Sequence, residues 1–247
     1  MKKIVFSFDD GLIDFYKTTY PILKEYGIKA TFNIATGLVD RSLDDGFDYC
    51  SIEQIKEMFD YGIEMAIHSD SHKNPTTPED FSISLEKLSK WIGRENIYGA
   101  VIPYNMPPTK KIYSWIKKQN INYLRGGDVF KVRLIHRVLF RLHKLTKKQH
   151  HVNCNSKYYP KGKCFFVPSF PIWLDKEVEY YKNIIELAPD NGIVTLMFHS
   201  IFQTKDECLK AAYPQGAWTV EKFKSLIDWI IFKDYTICTQ KETLLKL

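Results

Sequence analysis

The sequence predicts an α/β protein in which parallel strands alternate with helices and curl into a barrel-like sheet. Three observations support this prediction: apolar runs alternate regularly with helical patterns, glycines separate several helices from the next strand, and the chain has 247 residues. Roughly seven or eight strand–helix units in a chain of this length fit a barrel better than an open sheet. We therefore expect residues 1–247 to form one domain.

The predicted elements follow from the spacing of apolar residues. Strand-like runs cover residues 2–8, 29–36, 63–67, 97–102, 121–124, 164–168, 193–198 and 234–238. Apolar residues three and four positions apart predict helices over residues 14–26, 51–61, 78–91, 109–119, 175–187 and 219–232. Gly27, Gly62 and Gly192 end helices just before strands. Only residues 125–163 are irregular enough to be an insertion.

Composition and cysteine usage predict a cytoplasmic protein. The chain is 45% hydrophobic and 26% charged, as in ordinary globular proteins. Its first residues lack the apolar region and cleavage site of a secretory signal, and no apolar run is long enough to span a membrane. The five cysteines are odd in number and widely spaced, which argues against a disulfide framework or a zinc knuckle. We expect them to be reduced thiols.

The positive charge of the chain comes from one segment. Residues 129–152 contain seven basic residues and no acid, whereas the rest of the chain holds 28 basic against 29 acidic residues. Apolar residues at helical spacing lie between the basic ones, so residues 131–148 are predicted to form a basic amphipathic helix. Such a helix could contact an anionic membrane surface, pack on the barrel with its basic face in solvent, or bind an anionic polymer.

Two adjacent carboxylates follow the first predicted strand. Asp9 and Asp10 come directly after the apolar run of residues 4–8. Anions placed side by side where a strand leaves the core repel each other and lose hydration. One of them therefore usually needs a cation, and the other a partner that exchanges a proton. The structural alternative is a turn that caps the following helix.

Three histidines also follow predicted strands, at the edge where barrel enzymes assemble their sites. His68 and His72 are spaced about one helical turn apart, and a carboxylate such as Asp10 completes a three-ligand metal site with an open position for water. Asp9 could then accept a proton from that water, and His199 could protonate the leaving group. The sequence therefore predicts a metal-assisted hydrolase. Singly, each histidine could equally be a structural residue.

These residues resemble the motifs of a known family. The stretches Ser7 to Gly11, His68 to His72, Pro103 to Tyr104 and Met197 to His199 are similar, in order and spacing, to motifs of the polysaccharide deacetylases, which are carbohydrate esterase family 4 or NodB-homology domains. The resemblance implies a distorted (β/α) barrel with about seven parallel strands. It also implies metal-dependent removal of an acetyl group from an N- or O-acetylated sugar.

The resemblance implies roles for individual residues. Asp9 corresponds to the catalytic base, His199 to the general acid, and Asp10, His68 and His72 to the ligands of a divalent ion. The expected ion is Zn²⁺, with Co²⁺, Ni²⁺ and Fe²⁺ as alternatives. Tyr104 corresponds to the residue whose backbone N–H binds the oxyanion, and Pro103 accompanies it in the substrate-binding motif.

The chain departs from the family at one charged position. The third motif commonly begins with an arginine that orients the base, and this chain has Val101 there. Arg125, just after the next predicted strand, could supply that charge with Asp128 as its anchor, or it could be a surface residue in a glycine turn. Trp173 could form a sugar-stacking wall, although a core tryptophan is the alternative.

The predicted compartment narrows the substrate. A cytoplasmic enzyme cannot reach a finished cell wall, so we expect an acetylated sugar or glycan precursor for a surface polysaccharide. That precursor could be lipid-linked and presented at the inner membrane surface, and no nucleic-acid partner is expected. Two alternatives stay open: a hydrolase that acts on a non-sugar amide at the same metal site, and an inactive carbohydrate-binding relative, which the missing arginine suggests.

Overall fold

The computed structural model describes residues 1–41, 46–106, 108–126, 165–188 and 190–245. Within these ranges nine parallel strands form the main sheet: β1 (Lys3–Phe8), β2 (Thr31–Ile34), β3 (Glu64–Ile67), β4 (Gly99–Val101), β5 (Tyr123–Gly126), β6 (Phe165–Pro168), β7 (Phe170–Pro171), β8 (Ile193–Phe198) and β11 (Thr236–Ile237). A second, two-stranded sheet contains β9 (Ser200–Phe202) and β10 (Ala217–Thr219).

The strand order closes the main sheet on itself. The order is β6-β5-β4-β3-β2-β1-β8-β7, and β11 pairs with the start of β1. Ser169 alone separates β6, which pairs with β5, from β7, which pairs with β8. Both ends of the sheet therefore meet on one bent segment of chain. The barrel is distorted because β7 and β11 have only two residues each, and the predicted fold class is confirmed.

Helices cover the outside of the barrel. The structure describes α1 (Tyr20–Glu25), α2 (Ile52–Tyr61), α3 (Pro78–Ile92), α4 (Lys110–Lys118), α5 (Val178–Glu186), α6 (Lys205–Lys210), α7 (Val220–Phe232) and α8 (Gln240–Leu245). A π-helical stretch, Phe15–Thr19, leads into α1. The six predicted helices are confirmed with small changes at their ends. The sequence pattern missed α6 and α8 because six residues are too few to establish helical periodicity.

Hydroxyl side chains begin the helices that follow β3 and β4. Thr77 accepts a hydrogen bond from the backbone N–H of Asp80 at the start of α3, and Thr109 accepts one from Ile112 at the start of α4. Such caps satisfy backbone donors that have no partner inside the helix. Each helix therefore begins at a defined residue, which fixes where the loop from the preceding strand ends.

Aromatic packing holds the central strands in register. Every residue of β8, and all of β1 after its first residue, is buried. The rings of Phe8 and Phe198 stack at 4.8 Å, and the edge of Phe6 meets the ring of Phe198 at 5.6 Å. The backbone N–H of Asp9 donates to the carbonyl of Phe198 at 2.9 Å. As a result, the residues that leave these two strands, Asp9 and His199, emerge side by side.

A buried carboxylate fills the opposite end of the barrel. Glu64 accepts hydrogen bonds from the Thr31 hydroxyl at 2.9 Å, the Tyr123 hydroxyl at 2.9 Å and the backbone N–H of Lys241 at 2.8 Å. Burial raises the pKa of this carboxyl group despite these donors. Because Glu64 begins β3 while His68 follows its end, this network lies away from the candidate site and joins strands to α8.

Some predictions fall partly or wholly outside the described residues. Arg125 and Gly126 belong to β5, so the predicted strand over 121–124 continues for two more residues, and the rest of the insertion predicted at about 125–163 lies outside the described residues. The basic helix predicted over 131–148 lies outside the described ranges, as do Cys154 and Cys164. No helix of the described part has the length and apolar character needed to cross a membrane. That residues 1–247 form one domain stays a prediction.

Candidate metal and hydrolase site

The ends of β1 and β3 bring one carboxylate and two imidazoles together. An oxygen of Asp10 lies 3.2 Å from Nε2 of His68 and 3.0 Å from Nε2 of His72. Potential ligand atoms of the three side chains lie within 4.8 Å of one another. His68 is buried, whereas Asp10 and His72 are partly exposed. The group therefore has one side accessible from outside, as a catalytic metal site requires.

A tight loop, not a helix, sets the spacing of the two histidines. Ser69 and His72 both adopt positive φ, 65° and 51°, and the backbone N–H of His72 donates to the Ser69 hydroxyl at 3.1 Å. The expectation that the two imidazoles lie one helical turn apart was therefore wrong in its mechanism. The loop turns the second imidazole back toward Asp10, which also has a positive φ, 76°. Such strained backbone is common at functional sites.

The neighbours of His68 indicate which of its nitrogens can bind a cation. Its Nδ1 lies 3.1 Å from the carbonyl oxygen of Val101, which can only accept a hydrogen bond. Nδ1 must then carry the proton, so in the neutral ring the lone pair of Nε2 faces the oxygen of Asp10. Two acceptors at 3.2 Å need a cation or a further proton between them. A carbonyl behind the imidazole is also the usual support of a metal-binding histidine.

The charge state of Asp10 suits a metal ligand. Burial alone would raise the pKa of this carboxyl group, but the contacts with His68 and His72 and the nearby His199 outweigh it and hold the pKa well below its usual range. Asp10 is therefore ionised at neutral pH. Burial would lower the pKa of His72, but the contact with Asp10 raises it.

A buried ion pair holds Asp9. Arg125 approaches both carboxylate oxygens of Asp9 with one guanidinium nitrogen, at 2.5 Å each, and donates with the other to the Ser169 hydroxyl at 2.8 Å. Asp9 is 3% exposed and Arg125 is 1% exposed, so both charges are removed from water. Arg125 pairs with Val101 across β4 and β5. The arginine therefore reaches Asp9 from the strand beside the one that would carry the arginine of the family motif.

Sequence reasoning missed two partners of this ion pair. Asn33, inside β2, donates to Asp9 at 2.7 Å and to the Ser7 hydroxyl at 2.8 Å. Ser169, between β6 and β7, accepts from Arg125 and donates to the carbonyl of Gly126 at 2.9 Å. The signal for Asn33 was an amide side chain between two apolar residues of a short strand, Phe32 and Ile34. The proposed anchor of the arginine, Asp128, lies outside the described residues.

His199 stands on the other side of Asp10. Its Nε2 lies 3.9 Å from an Asp10 oxygen, and its ring meets the ring of Tyr213 edge to face at 5.0 Å. The Nδ1 atom is buried and has no hydrogen-bond partner among the described residues. The ring is therefore held by packing against Tyr213 and against Gly216, where an added Cβ would lie 2.9 Å from Nδ1.

The remaining predicted residues occupy the rim or lie further away. Tyr104 is 58% exposed, has a φ of 56°, and donates its hydroxyl proton to the carbonyl of His72 at 3.0 Å. Pro103 beside it is buried. Trp173 is partly buried, and its backbone N–H donates to the Tyr181 hydroxyl at 2.8 Å. In the described part of the chain no contact joins Trp173 to the carboxylate and histidines.

Comparisons with known proteins agree with the motifs. Residues 1–120 match a family model described as polysaccharide deacetylase. The protein named "Putative polysaccharide deacetylase YxkH" from Bacillus subtilis (strain 168) is 36% identical over 80 residues, which are 32% of this chain and 27% of that protein. The chain thus matches about a quarter of the length of this curated relative.

Solved structures share the fold. The Xyl-CE4 domain of a multidomain xylanase from the hindgut metagenome of Trinervitermes trinervoides has a TM-score of 0.53 and 19% identity, covering 99% of this chain and 90% of that chain. A family 4 acetyl xylan esterase from Clostridium thermocellum, solved with a cobalt ion, has a TM-score of 0.53 and 16% identity, covering 98% and 90%. At these identities the likeness shows the fold alone. Together with the motifs, the family match confirms that residues 1–120 resemble the polysaccharide deacetylases.

Proposed function

We propose that this protein is a metal-dependent hydrolase that removes an acetyl group from an N- or O-acetylated sugar or glycan precursor. The observation that carries the proposal is the cluster of Asp10, His68 and His72, with potential ligand atoms within 4.8 Å of one another beside a buried Asp9–Arg125 pair. A three-ligand site next to a held carboxylate and a histidine supplies the groups that amide or ester hydrolysis needs.

The three side chains fit a divalent ion, Zn²⁺ in the first place. One ionised carboxylate and two imidazoles are the donor set that this ion prefers, and the Val101 carbonyl fixes the proton of His68 on the nitrogen away from the site. When bound, the ion would lower the pKa of a water molecule and polarise the acetyl carbonyl. Co²⁺, Ni²⁺ and Fe²⁺ are compatible with the same ligands.

Asp9 is proposed as the base. Arg125 and Asn33 hold its carboxylate in one orientation, so the group cannot rotate freely. Asp9 takes a proton from the attacking water while the water oxygen forms a bond to the acetyl carbon. The backbone N–H of Tyr104 is proposed to stabilise the carbonyl oxygen as it gains negative charge.

His199 is proposed as the acid. As the bond between the acetyl carbon and the sugar nitrogen or oxygen breaks, the electron pair stays on the leaving atom, and His199 gives that atom a proton. Its Nε2 faces Oδ2 of Asp10, whereas His68 and His72 face Oδ1. The products are acetate and the free amine or hydroxyl of the sugar.

The substrate class rests on the family and on the completeness of the site. A sugar or glycan precursor for a surface polysaccharide is the proposed substrate, because the matching relatives include a protein named for polysaccharide deacetylation and an acetyl xylan esterase. The presence of Asp9, Asp10, His68, His72 and His199 argues against an inactive relative. Arg125 weakens the reason for suspecting one, since it pairs with Asp9 from the adjacent strand.

The test is the metal content of the full chain beside two histidine variants. We expect about one divalent ion per chain in the wild type, and its loss in His72→Ala, because two ligands hold a catalytic ion poorly. The matched control, His199→Ala, removes a neighbouring imidazole that is not a ligand. It should keep the ion but lose acetate release from acetylated oligosaccharides.

Three other outcomes would contradict the proposal or part of it. A wild-type chain that binds no ion after dialysis against zinc or cobalt would contradict the hydrolase mechanism. A bound ion with hydrolysis of simple amides but not of acetylated sugars would favour the non-sugar amide hydrolase. A bound ion with no hydrolysis at all would favour a carbohydrate-binding protein.

Gly216→Ala is expected to lower kcat without removing the metal. The new methyl group would lie 2.9 Å from Nδ1 of His199 and overlap the ring of Tyr213, so the imidazole must move. A displacement of about 1 Å can cost up to 10²-fold in rate, and we expect a ten- to hundredfold loss. Metal analysis and steady-state kinetics measure both quantities.

Gly27→Ala is the control for this variant, since an added Cβ there meets nothing within 4 Å but strains a positive φ. It should lower the melting temperature without changing kcat. If Gly216→Ala keeps the wild-type kcat, the packing against Tyr213 and Gly216 does not position His199.

A further inference from the structure

A groove on the outside of the barrel lies between α3 and α4. One part of it, about 550 Å³, is lined by residues of both helices, and a second part of about 430 Å³ continues toward their first turns. Trp115 lines both parts, so they adjoin at its side chain, and together they are called the groove. With 15 residues, α3 gives this groove a length of about 20 Å, enough for several units of a polymer.

The groove opens on the side of the candidate site. The chain passes from β3 through the loop that carries His72 to α3, and from β4 through Tyr104 to α4. In such strand–helix units the start of each helix lies at the edge where the strands end. Pro78 and Lys110, at the starts of the two helices, line the second part of the groove. The start of the groove and the rim of the candidate site, where Tyr104 is exposed, therefore lie at the same edge of the barrel.

The groove carries unpaired positive charge. α4 contains four lysines and no acid. Three of them, Lys110, Lys111 and Lys118, line the groove, are exposed, and form no ion pair with any described residue. The acid on the wall, Glu86, is neutralised by Lys90 at 2.7 Å. Because the chain outside residues 129–152 has slightly more acids than bases, this concentration of positive charge is local.

An aromatic ring lies in the same groove. Trp115 is partly exposed. Its indole stacks on the ring of Phe81, with the ring centroids 5.8 Å apart and an interplanar angle of 24°. This contact fixes the indole against α3, so that little entropy is lost when a flat ligand face packs on it. A held aromatic ring flanked by lysines matches a polymer that has both apolar sugar faces and negative groups.

We propose that this groove binds an anionic stretch of the glycan substrate, bearing carboxylate or phosphate groups, while an acetylated sugar of the same chain occupies the site. The inference rests on the proposed function and assigns it a substrate class. Lys110, Lys111 and Lys118 neutralise the anionic groups, and Trp115 packs against a sugar face. The groove residues determine affinity for the polymer and take no part in bond breaking.

The test uses polygalacturonate as an anionic polysaccharide and dextran as a neutral one, each titrated with the full chain at low and high salt. The variant Lys110→Gln/Lys111→Gln/Lys118→Gln should bind polygalacturonate about tenfold more weakly at low salt, with a shallower salt dependence. A matched triple variant, Lys24→Gln/Lys56→Gln/Lys205→Gln, removes three exposed lysines elsewhere and should bind as the wild type does. Trp115→Ala should weaken binding by a similar factor at both salt concentrations.

Comparing the two triple variants distinguishes binding in the groove from attraction by the total charge of the chain. The basic residues between 129 and 152 are common to all variants and cannot produce a difference between them. Equal losses in the two triple variants would overturn the groove, because they would indicate attraction by total charge alone. Groove-dependent binding of a short DNA duplex without binding of polygalacturonate would also overturn it, in favour of nucleic acid.

Failure of the groove and failure of the proposed function give different results. If the chain hydrolyses small neutral acetylated sugars with equal kcat and KM in wild type and groove variants, but polygalacturonate binding does not depend on the groove, only this inference fails. If binding depends on the groove and no acetylated compound is hydrolysed, the groove is a binding surface for anionic polymers, whereas the proposed hydrolase fails and the polymer is not its substrate.

Discussion

Arg125→Met is expected to destabilise the protein by about 3–5 kcal/mol, because it leaves the buried Asp9 carboxylate without its counter-charge. Asp9 and Arg125 are 3% and 1% exposed, so water cannot replace the lost partner. The variant also removes the donor to Ser169, the residue that joins β6 to β7 where the barrel closes. The free energy of unfolding in urea measures the loss.

The variant Arg125→Lys distinguishes the effect of the positive charge from the effect of the guanidinium geometry. Lysine keeps the positive charge, but its single ammonium group cannot contact Asp9 and Ser169 in the directions that the planar guanidinium allows. We expect a smaller loss of stability than in Arg125→Met, together with a clear loss of activity because Asp9 is no longer held. Arg94→Lys is the control, since Arg94 donates to the backbone carbonyls of Ile97 and Gln119 away from the site. Unchanged activity in Arg125→Lys would contradict the orienting role.

The position of the candidate site could be predicted from the sequence, because the motif residues directly follow the ends of predicted strands. Asp9, Asp10, His68 and His199 each follow an apolar run, and parallel strands in a barrel bring such ends to one edge. The arginine was also predictable in outline: Val101 and Arg125 are opposite each other on adjacent strands, so a charge lost from one strand could be supplied by the next.

The details that sequence patterns could not supply depend on tertiary contacts. Asn33 reads as an irregularity in a short strand, and only the pairing of β1 with β2 brings it to Asp9. Ser169 gains its role from the bend that closes the barrel, which involves a two-residue strand too short for any periodicity. The loop from His68 to His72 relies on positive φ at non-glycine residues, a choice that no local preference predicts.

Asp9→Asn is expected to lower kcat by about 10²–10⁴, the usual contribution of a positioned base. The amide has nearly the same shape as the carboxylate, so the backbone and the ligand cluster should stay in place and metal content should not change. The substitution also leaves the Arg125 guanidinium buried without a counter-ion, which predicts a loss of stability of about 3–5 kcal/mol. A loss of activity in Asp9→Asn could therefore result either from the missing base or from the lower stability.

The double variant Asp9→Asn/Arg125→Met distinguishes them. With both charges removed, no uncompensated ion remains in the core, so stability should return to within about 1–2 kcal/mol of the wild type, because replacing a whole buried pair is often nearly neutral. Activity should stay as low as in Asp9→Asn, since the proton acceptor is still missing. A double variant that regains activity with its stability would show that the pair only supports the fold and that Asp9 is not the base. One that stays as unstable as the two single losses combined would instead show that Arg125 is needed mainly for its contact with Ser169 and the closure of the barrel.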